Sequence, residues 1–147
     1  MRVGIIIPIY NRQNLVKKCF DSLKKTFLPK DCTIYLIDDC STEKEIKPLI
    51  ENFKLDCNLI KIYNKENKGI NYNLLKLYDE LFNNGFEYVI VLDSDSVVNN
   101  YFYDLMTYFH SVFPENIISG FNTLNLSELG TQRHPIIENH GWYVKKN

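Results

Sequence analysis

The chain has 147 residues, 45% hydrophobic and 24% charged, which is enough for one folded domain and excludes a disordered chain. Its 17 basic and 18 acidic residues give a net charge of -1, which disfavours nucleic acid as the main partner. No apolar run approaches the roughly 18 residues of a membrane span, and the opening run 3–9 does not have the pattern of a signal peptide, so we expect a cytoplasmic domain without a transmembrane segment.

Short apolar runs alternate with helical patterns along the chain. Strands are predicted over residues 3–9, 33–37, 59–63, 88–92, 117–121 and 142–144. Helices are predicted over residues 15–23, from Ser41 or Thr42 towards 53, over 71–82 and over 100–112. Asn11 or Asn14 is the expected N-cap of the first helix, and Ser41 or Thr42 that of the second. Residues 122–140 lack periodicity and are predicted to form a loop.

The alternation of strands and helices indicates the fold class. Strands separated by helices of this length form βαβ units, which build a mostly parallel sheet flanked by helices. We therefore predict one α/β domain over residues 1–147. Its four cysteines form neither a CxxC pair nor a cluster with histidine, and we interpret them as reduced thiols.

Polar residues follow the predicted strands at the points where the strands end. In open α/β sheets, ligands bind outside these carboxyl ends, so the polar groups should share one rim. Helix caps and turns are an alternative explanation for some of them, but two acidic clusters on one rim repel each other unless a cation joins them. The candidates in chain order are Pro8, Tyr10, Asn11, Asp39, Asn67, Gly69, Asp93, Ser94 and Asp95.

The Asp93-Ser94-Asp95 motif is the most specific of these signals. Two carboxylates two residues apart, directly after the buried run YVIVL, can face one divalent cation, and oxygen ligands suit Mg²⁺ or Mn²⁺. The glycine-rich GxGxxG and GxxxxGK[ST] patterns are absent from the sequence. A metal is therefore the expected means of neutralising a phosphate, which favours a nucleotide-sugar site over a dehydrogenase or an ATPase.

Four segments in order, IIIPIYNRQNLVKKCFDSL, YLIDDCSTE, NKENKG and YVIVLDSDS, carry a family resemblance. Residues 2–121 resemble the N-terminal, nucleotide-binding half of family 2 glycosyltransferases with the Rossmann-like GT-A fold. The resemblance implies an inverting, metal-dependent enzyme that transfers the sugar of a nucleoside diphosphate, typically a UDP-sugar, to a hydroxyl of a glycan, lipid or protein acceptor. The cofactor would be Mn²⁺ or Mg²⁺.

The resemblance also implies roles for individual residues. Pro8, Tyr10 and Asn11 would line the pocket for the base and ribose, and Asp39 would accept a hydrogen bond from the base. Asn67 and Gly69 match a turn beside the nucleotide. Asp95 would bind the metal, Asp93 would touch the ribose or the metal's surroundings, and Ser94 between them would contact the nucleotide. Asp38 would be structural.

Two departures from the family pattern concern catalysis. After Gly69 the family often has a small residue, arginine and asparagine, whereas this chain has Asn73-Leu74-Leu75. The arginine's contact with phosphate is therefore missing, and Lys68 and Arg12 are candidates to replace it. In the family, the acidic motif that supplies the general base lies in an acceptor half, which we expect beyond Asn147.

Three alternatives to a glycosyltransferase are open. A non-catalytic nucleotide-sugar-binding module, or a fragment inactive alone, would keep the donor residues and lack transfer. A sugar-phosphate nucleotidyltransferase would have a glycine-rich GGxGTRL-type opening, which the sequence lacks. A phospho-acceptor regulatory domain using Asp38 and Asp39 would need its phosphorylated aspartate after the next strand, where Asn64 stands.

Overall fold

A computed structural model describes residues 2–112 and 142–145 of the chain. The elements in chain order are β1 (Val3–Ile9), α1 (Gln13–Leu23), β2 (Thr33–Asp38), α2 (Ile46–Asn52), β3 (Asn58–Tyr63), α3 (Ile70–Asn83), β4 (Tyr88–Val91), α4 (Phe102–Val112) and β5 (Trp142–Lys145). The predicted strand over 117–121 and the predicted loop over 122–140 lie outside the described residues. Within the part described, no helix is both long and apolar enough to cross a membrane.

The strands form one sheet in the order β3-β2-β1-β4-β5. Neighbours among β1 to β4 pair in parallel, and β5 pairs antiparallel with β4. The predicted mostly parallel sheet is therefore confirmed, as is a strand at residues 142–144. Because the chain moves outward from β1 to β2 and β3 and then returns to place β4 on the other side of β1, the direction of winding switches between β1 and β4. Crevices for ligands form at such a switch point.

Strands β1 and β2 are buried on both faces of the sheet, which explains their continuous apolar runs. Alternate residues of β1 point to opposite sides: Ile5 and Ile7 pack with α1, α2 and α4, whereas Ile6 packs with α3. On the first side, Phe20 of α1 stacks on Phe53 with ring centroids 4.0 Å apart.

The strand registers explain how the predicted site residues meet. Ile9 pairs with Asp38, and Asp38 pairs with Tyr63, so β1, β2 and β3 end side by side. The last pair between β1 and β4 joins Ile6 to Val91, so β4 ends while β1 continues for three more residues. The turn after β4 therefore lies beside the final residues of β1.

The predicted N-caps of the first two helices are wrong. α1 begins after Arg12, which has left-handed backbone angles, and neither predicted asparagine caps it. Instead Glu43 reaches over from the loop after β2, and its carboxylate accepts the backbone N–H groups of Arg12 at 3.0 Å and Gln13 at 2.8 Å. α2 begins only at Ile46, because the loop containing Ser41 and Thr42 is hydrogen-bonded to Asn11 and not to the helix.

Candidate functional site

A cavity of about 290 Å³ opens at the carboxyl edge of β1, β2 and β4. Six of the residues predicted from the sequence line it: Pro8, Tyr10, Asp39, Asp93, Ser94 and Asp95. Four others complete the lining: Ile9, Arg12, Ile70 and Asn73. The two predicted acidic clusters therefore face one space, although they follow strands that lie on opposite sides of β1.

Asp39 is the centre of a buried hydrogen-bond network, and the residue is only 5% exposed. Its Oδ1 accepts from the side-chain amide of Asn64 at 2.7 Å and from the backbone N–H of Lys68 at 2.9 Å. Its Oδ2 accepts from the backbone N–H of Gly69 at 2.8 Å. Asn64 also donates to Asn73 at 2.7 Å, which connects the network to α3. Asp39 therefore ties the ends of β2 and β3 to the start of α3.

These contacts determine the charge of Asp39. Burial by itself would raise the pKa of this carboxyl, but hydrogen bonds from the Lys68 N–H, the side chains of Asn73 and Asn64, and the Gly69 N–H outweigh it and hold the pKa below its ordinary value. Asp39 is consequently an anion at neutral pH, although no cation is paired with it among the contacts described here. An anionic acceptor at a cavity wall can receive an N–H of a ligand.

Gly69 and Asn67 belong to the turn that is hydrogen-bonded to Asp39. The turn lies next to Ile70, which lines the cavity. Asn67 accepts the Gly69 N–H through its side-chain oxygen at 3.1 Å. Gly69 has φ 80° and ψ 156°, a backbone region that is essentially restricted to glycine. The turn therefore requires glycine for its own geometry, and direct contact of these two residues with a nucleotide stays a prediction.

Asn11 holds two loops together at the side of the cavity. Its side-chain oxygen accepts the backbone N–H groups of Thr42 at 2.8 Å and Glu43 at 3.0 Å, and its own backbone N–H donates to the hydroxyl of Ser41 at 2.8 Å. Asn11 has φ 56°, a conformation that asparagine tolerates better than most residues. The structure thus gives Asn11 a supporting contact, and its predicted place in the base pocket stays untested.

The turn after β4 brings a pair of carboxylates to the opposite wall. Nη1 of Arg12 forms an ion pair with Oδ2 of Asp95, at a distance of 2.8 Å. The negative field of the pair reaches Cys19 beneath it: burial raises the pKa of this thiol to about 12, and the charges of Asp95 and Asp93 contribute in the same direction. Cys19 is therefore a protonated core residue and not a nucleophile.

Comparison with known proteins now places the chain in a family. The model of the family "Glycosyl transferase family 2" matches residues 4–143. The chain belongs to glycosyl transferase family 2. A curated relative, the poly(ribitol-phosphate) beta-glucosyltransferase of Bacillus spizizenii, is 30% identical over 105 residues, which is 68% of this chain and 16% of that protein. The chain thus spans only a small part of this relative.

Solved structures show the same fold. The crystal structure of S. aureus TarS 1-349 in complex with UDP-GlcNAc is 24% identical, has a TM-score of 0.62, and aligns over 80% of this chain and 33% of its own. The mannosyltransferase PcManGT of Pyrobaculum calidifontis, in complex with GDP-Man and Mn²⁺, is 22% identical, has a TM-score of 0.56, and aligns over 68% of this chain and 29% of its own. These similarities confirm the predicted Rossmann-like GT-A architecture.

The carboxylates that line the cavity are compatible with a divalent metal. Asp93 and Asp95 both line the cavity and provide the oxygen ligands that Mg²⁺ and Mn²⁺ take in proteins. In the described ranges, no group of three or more His, Cys, Asp or Glu side chains is arranged to hold a metal. The donor set therefore fits an ion whose other ligands come from a bound diphosphate and from water.

Sequence reasoning did not identify two of the polar residues that build the site. Asn73 is 4% exposed and lies on the buried stripe of α3 with Leu77 and Leu81. A polar residue at that spacing on an apolar face is a signal that could have revealed it, because a buried amide needs partners. Glu43 carried no comparable signal, because its partners lie 30 and 31 residues away at the start of α1.

Gly69→Ala should destabilise the fold. A Cβ at this position meets no atom within 4 Å, so the cost comes from the backbone angles alone and should be about 1–3 kcal/mol. Chemical denaturation measures it. Asn71→Ala, at an exposed position two residues further on, is the matched control and should change the free energy of unfolding by less than about 0.5 kcal/mol. Equal stability of Gly69→Ala and the wild type would contradict the strain argument.

Proposed function

We propose that this chain binds the nucleoside-diphosphate part of a sugar donor, with a UDP-sugar as the preferred donor, for transfer of the sugar to an acceptor hydroxyl. The observation that carries the proposal is the single cavity in which Asp39 stands on one wall and Asp93 and Asp95 on another. Membership of glycosyl transferase family 2 supports the reaction type. The complex of S. aureus TarS with UDP-GlcNAc supports this class of donor.

The Asp39 wall is where we place the base. Oδ1 of Asp39 accepts two hydrogen bonds, from Asn64 and Lys68, whereas Oδ2 accepts the Gly69 N–H. A carboxylate has about four acceptor positions, so Oδ2 can also receive the imino N–H of uracil. Tyr10, which is 46% exposed, offers a ring beside which the base can pack. Pro8 would border the ribose.

The Asp93 and Asp95 wall is where we place the diphosphate and its Mn²⁺ or Mg²⁺, with Ser94 as a polar contact for the nucleotide. When bound there, such an ion stabilises the charge that grows on the leaving diphosphate. A single displacement would invert the anomeric carbon. The identity of the base that takes the acceptor's proton stays a prediction of the family resemblance. The acceptor class and a cytoplasmic location also stay predictions.

UDP should bind in the presence of Mn²⁺ about tenfold more tightly than ADP. A hydrogen bond to a buried charged group contributes about 1.5–3 kcal/mol, and the adenine ring nitrogens have no hydrogen to donate to Asp39. Isothermal titration calorimetry with each nucleotide, with and without Mn²⁺, measures the difference. Equal affinities for UDP and ADP would contradict the assignment of Asp39, and UDP binding that does not depend on Mn²⁺ would contradict the metal site.

A further inference from the structure

Arg12 combines a fixed backbone with an exposed side chain. Its N–H donates to the Glu43 carboxylate at 3.0 Å, and its carbonyl accepts the N–H groups of Leu15 at 2.9 Å and Val16 at 3.1 Å. Both its φ of 59° and these contacts hold the residue at the start of α1. The side chain, by contrast, is 66% exposed. The base of this long side chain is therefore held at the rim while the guanidinium can change partners.

The partner that the structure gives the guanidinium is the carboxylate of the proposed metal site. Nη1 lies 2.8 Å from Asp95 Oδ2, and the Asp95 side chain is 31% exposed. An ion pair between groups this exposed is weak, because water and salt screen it. A divalent ion that takes the Asp95 oxygen can therefore displace the guanidinium at little cost.

Arg12 is also the cation that is best placed to bind a diphosphate in the cavity. Among the described residues that line the cavity, it is the single one with a positive charge. Lys68, the other candidate from the sequence, is ion-paired with Glu66 and lies 5.7 Å from the Tyr72 ring. The first six residues of α3, INYNLL, carry no cation. A guanidinium forms strong and often bidentate hydrogen bonds to phosphate. These are stronger than its exposed ion pair with a single carboxylate oxygen.

We infer that Arg12 exchanges partners when the donor binds: it neutralises Asp95 in the empty site and moves to the diphosphate when a divalent metal takes its place on Asp95. This inference rests on the proposed function. Two like charges cannot share one carboxylate without repulsion, and the diphosphate supplies new negative charge within the same cavity. The exchange makes Arg12 a competitor of the free metal and a partner of the nucleotide.

Arg12→Gln separates these two effects because they have opposite signs. Affinity for Mn²⁺ alone, measured by the electron paramagnetic resonance signal of the free ion, should rise about two- to fivefold. Affinity for UDP at saturating Mn²⁺, measured by calorimetry, should fall about tenfold. Arg12→Lys keeps the charge without the planar donor group, and its affinities should lie between those of Arg12→Gln and the wild type.

Lys17→Gln is the matched control, because Lys17 is an exposed cation of α1 paired with Asp21 at 2.8 Å. It should change neither affinity. If Arg12→Gln alters both affinities in the same direction, or neither, while the wild type binds both ligands, the exchange is wrong and the proposed function stands. If the wild type binds no UDP, the proposed function is wrong and the exchange fails with it. Thermal unfolding of each variant checks that the fold is retained.

Discussion

Asp95→Asn should reduce the affinity for UDP in the presence of Mn²⁺ by about 100-fold, because it removes the charge on the carboxylate that we propose as the main metal ligand. The Asp95 carboxylate lines the cavity and already binds a cation there, the guanidinium of Arg12, at 2.8 Å. Asp93→Asn should have a smaller effect. Calorimetric titration with UDP at fixed Mn²⁺ measures both variants.

The control for this experiment is Asp56→Asn, since the Asp56 side chain is 90% exposed and makes only a 3.6 Å pair with Lys30. It should leave UDP affinity unchanged. An Asp95→Asn variant that binds UDP with wild-type affinity and the same Mn²⁺ dependence would remove the proposed metal site. The Asp95 side chain is 31% exposed, and a wild-type melting temperature of the variant would show that a lower affinity does not come from loss of folding.

Asp39→Asn should lower the free energy of unfolding by about 2–4 kcal/mol, the largest effect on stability that we expect at the site. Both oxygens of the carboxylate accept hydrogen bonds, from Asn64 and Lys68 on Oδ1 and from Gly69 on Oδ2. An amide has only one oxygen, so its NH₂ group must face at least one N–H donor in a buried place. Urea denaturation measures the loss, with Asp79→Asn on the exposed face of α3 as the control.

The stability difference between the wild type and Asp39→Asn should also depend on pH. The network holds the pKa of Asp39 below its ordinary value of 3.8, so the folded chain keeps this charge at a pH where the unfolded chain has lost it. The stability from this group is therefore fully present above 3.8 and is lost as the pH falls through the lower, folded pKa. The stability difference between the wild type and Asp39→Asn should be constant near neutral pH and shrink in acid. A difference that grows in acid would contradict the shifted pKa.

The fold could be predicted from the sequence because a parallel sheet buried on both faces leaves continuous apolar runs. The runs at 3–9 and 33–37 became β1 and β2 almost residue for residue, since each side chain there must leave water. The start of the second helix could not be predicted in this way. Ser41 and Thr42 are good N-caps by type, but Asn11 from another loop binds them first.

The sequence by itself determined six of the ten residues that line the cavity. Strand order along the chain and the rule for carboxyl ends are enough to bring Pro8, Tyr10, Asp39, Asp93, Ser94 and Asp95 to one rim, because a strand's end is a local property. Only the tertiary structure decided what each of them does there. Asp39 became the anchor of the Gly69 turn, Asn11 a link between loops, and Asp95 the partner of Arg12, through contacts that join residues 25 to 83 positions apart. Such partnerships depend on side-chain direction and on left-handed backbone at Asn11 and Arg12, and neither can be read from residue type or periodicity.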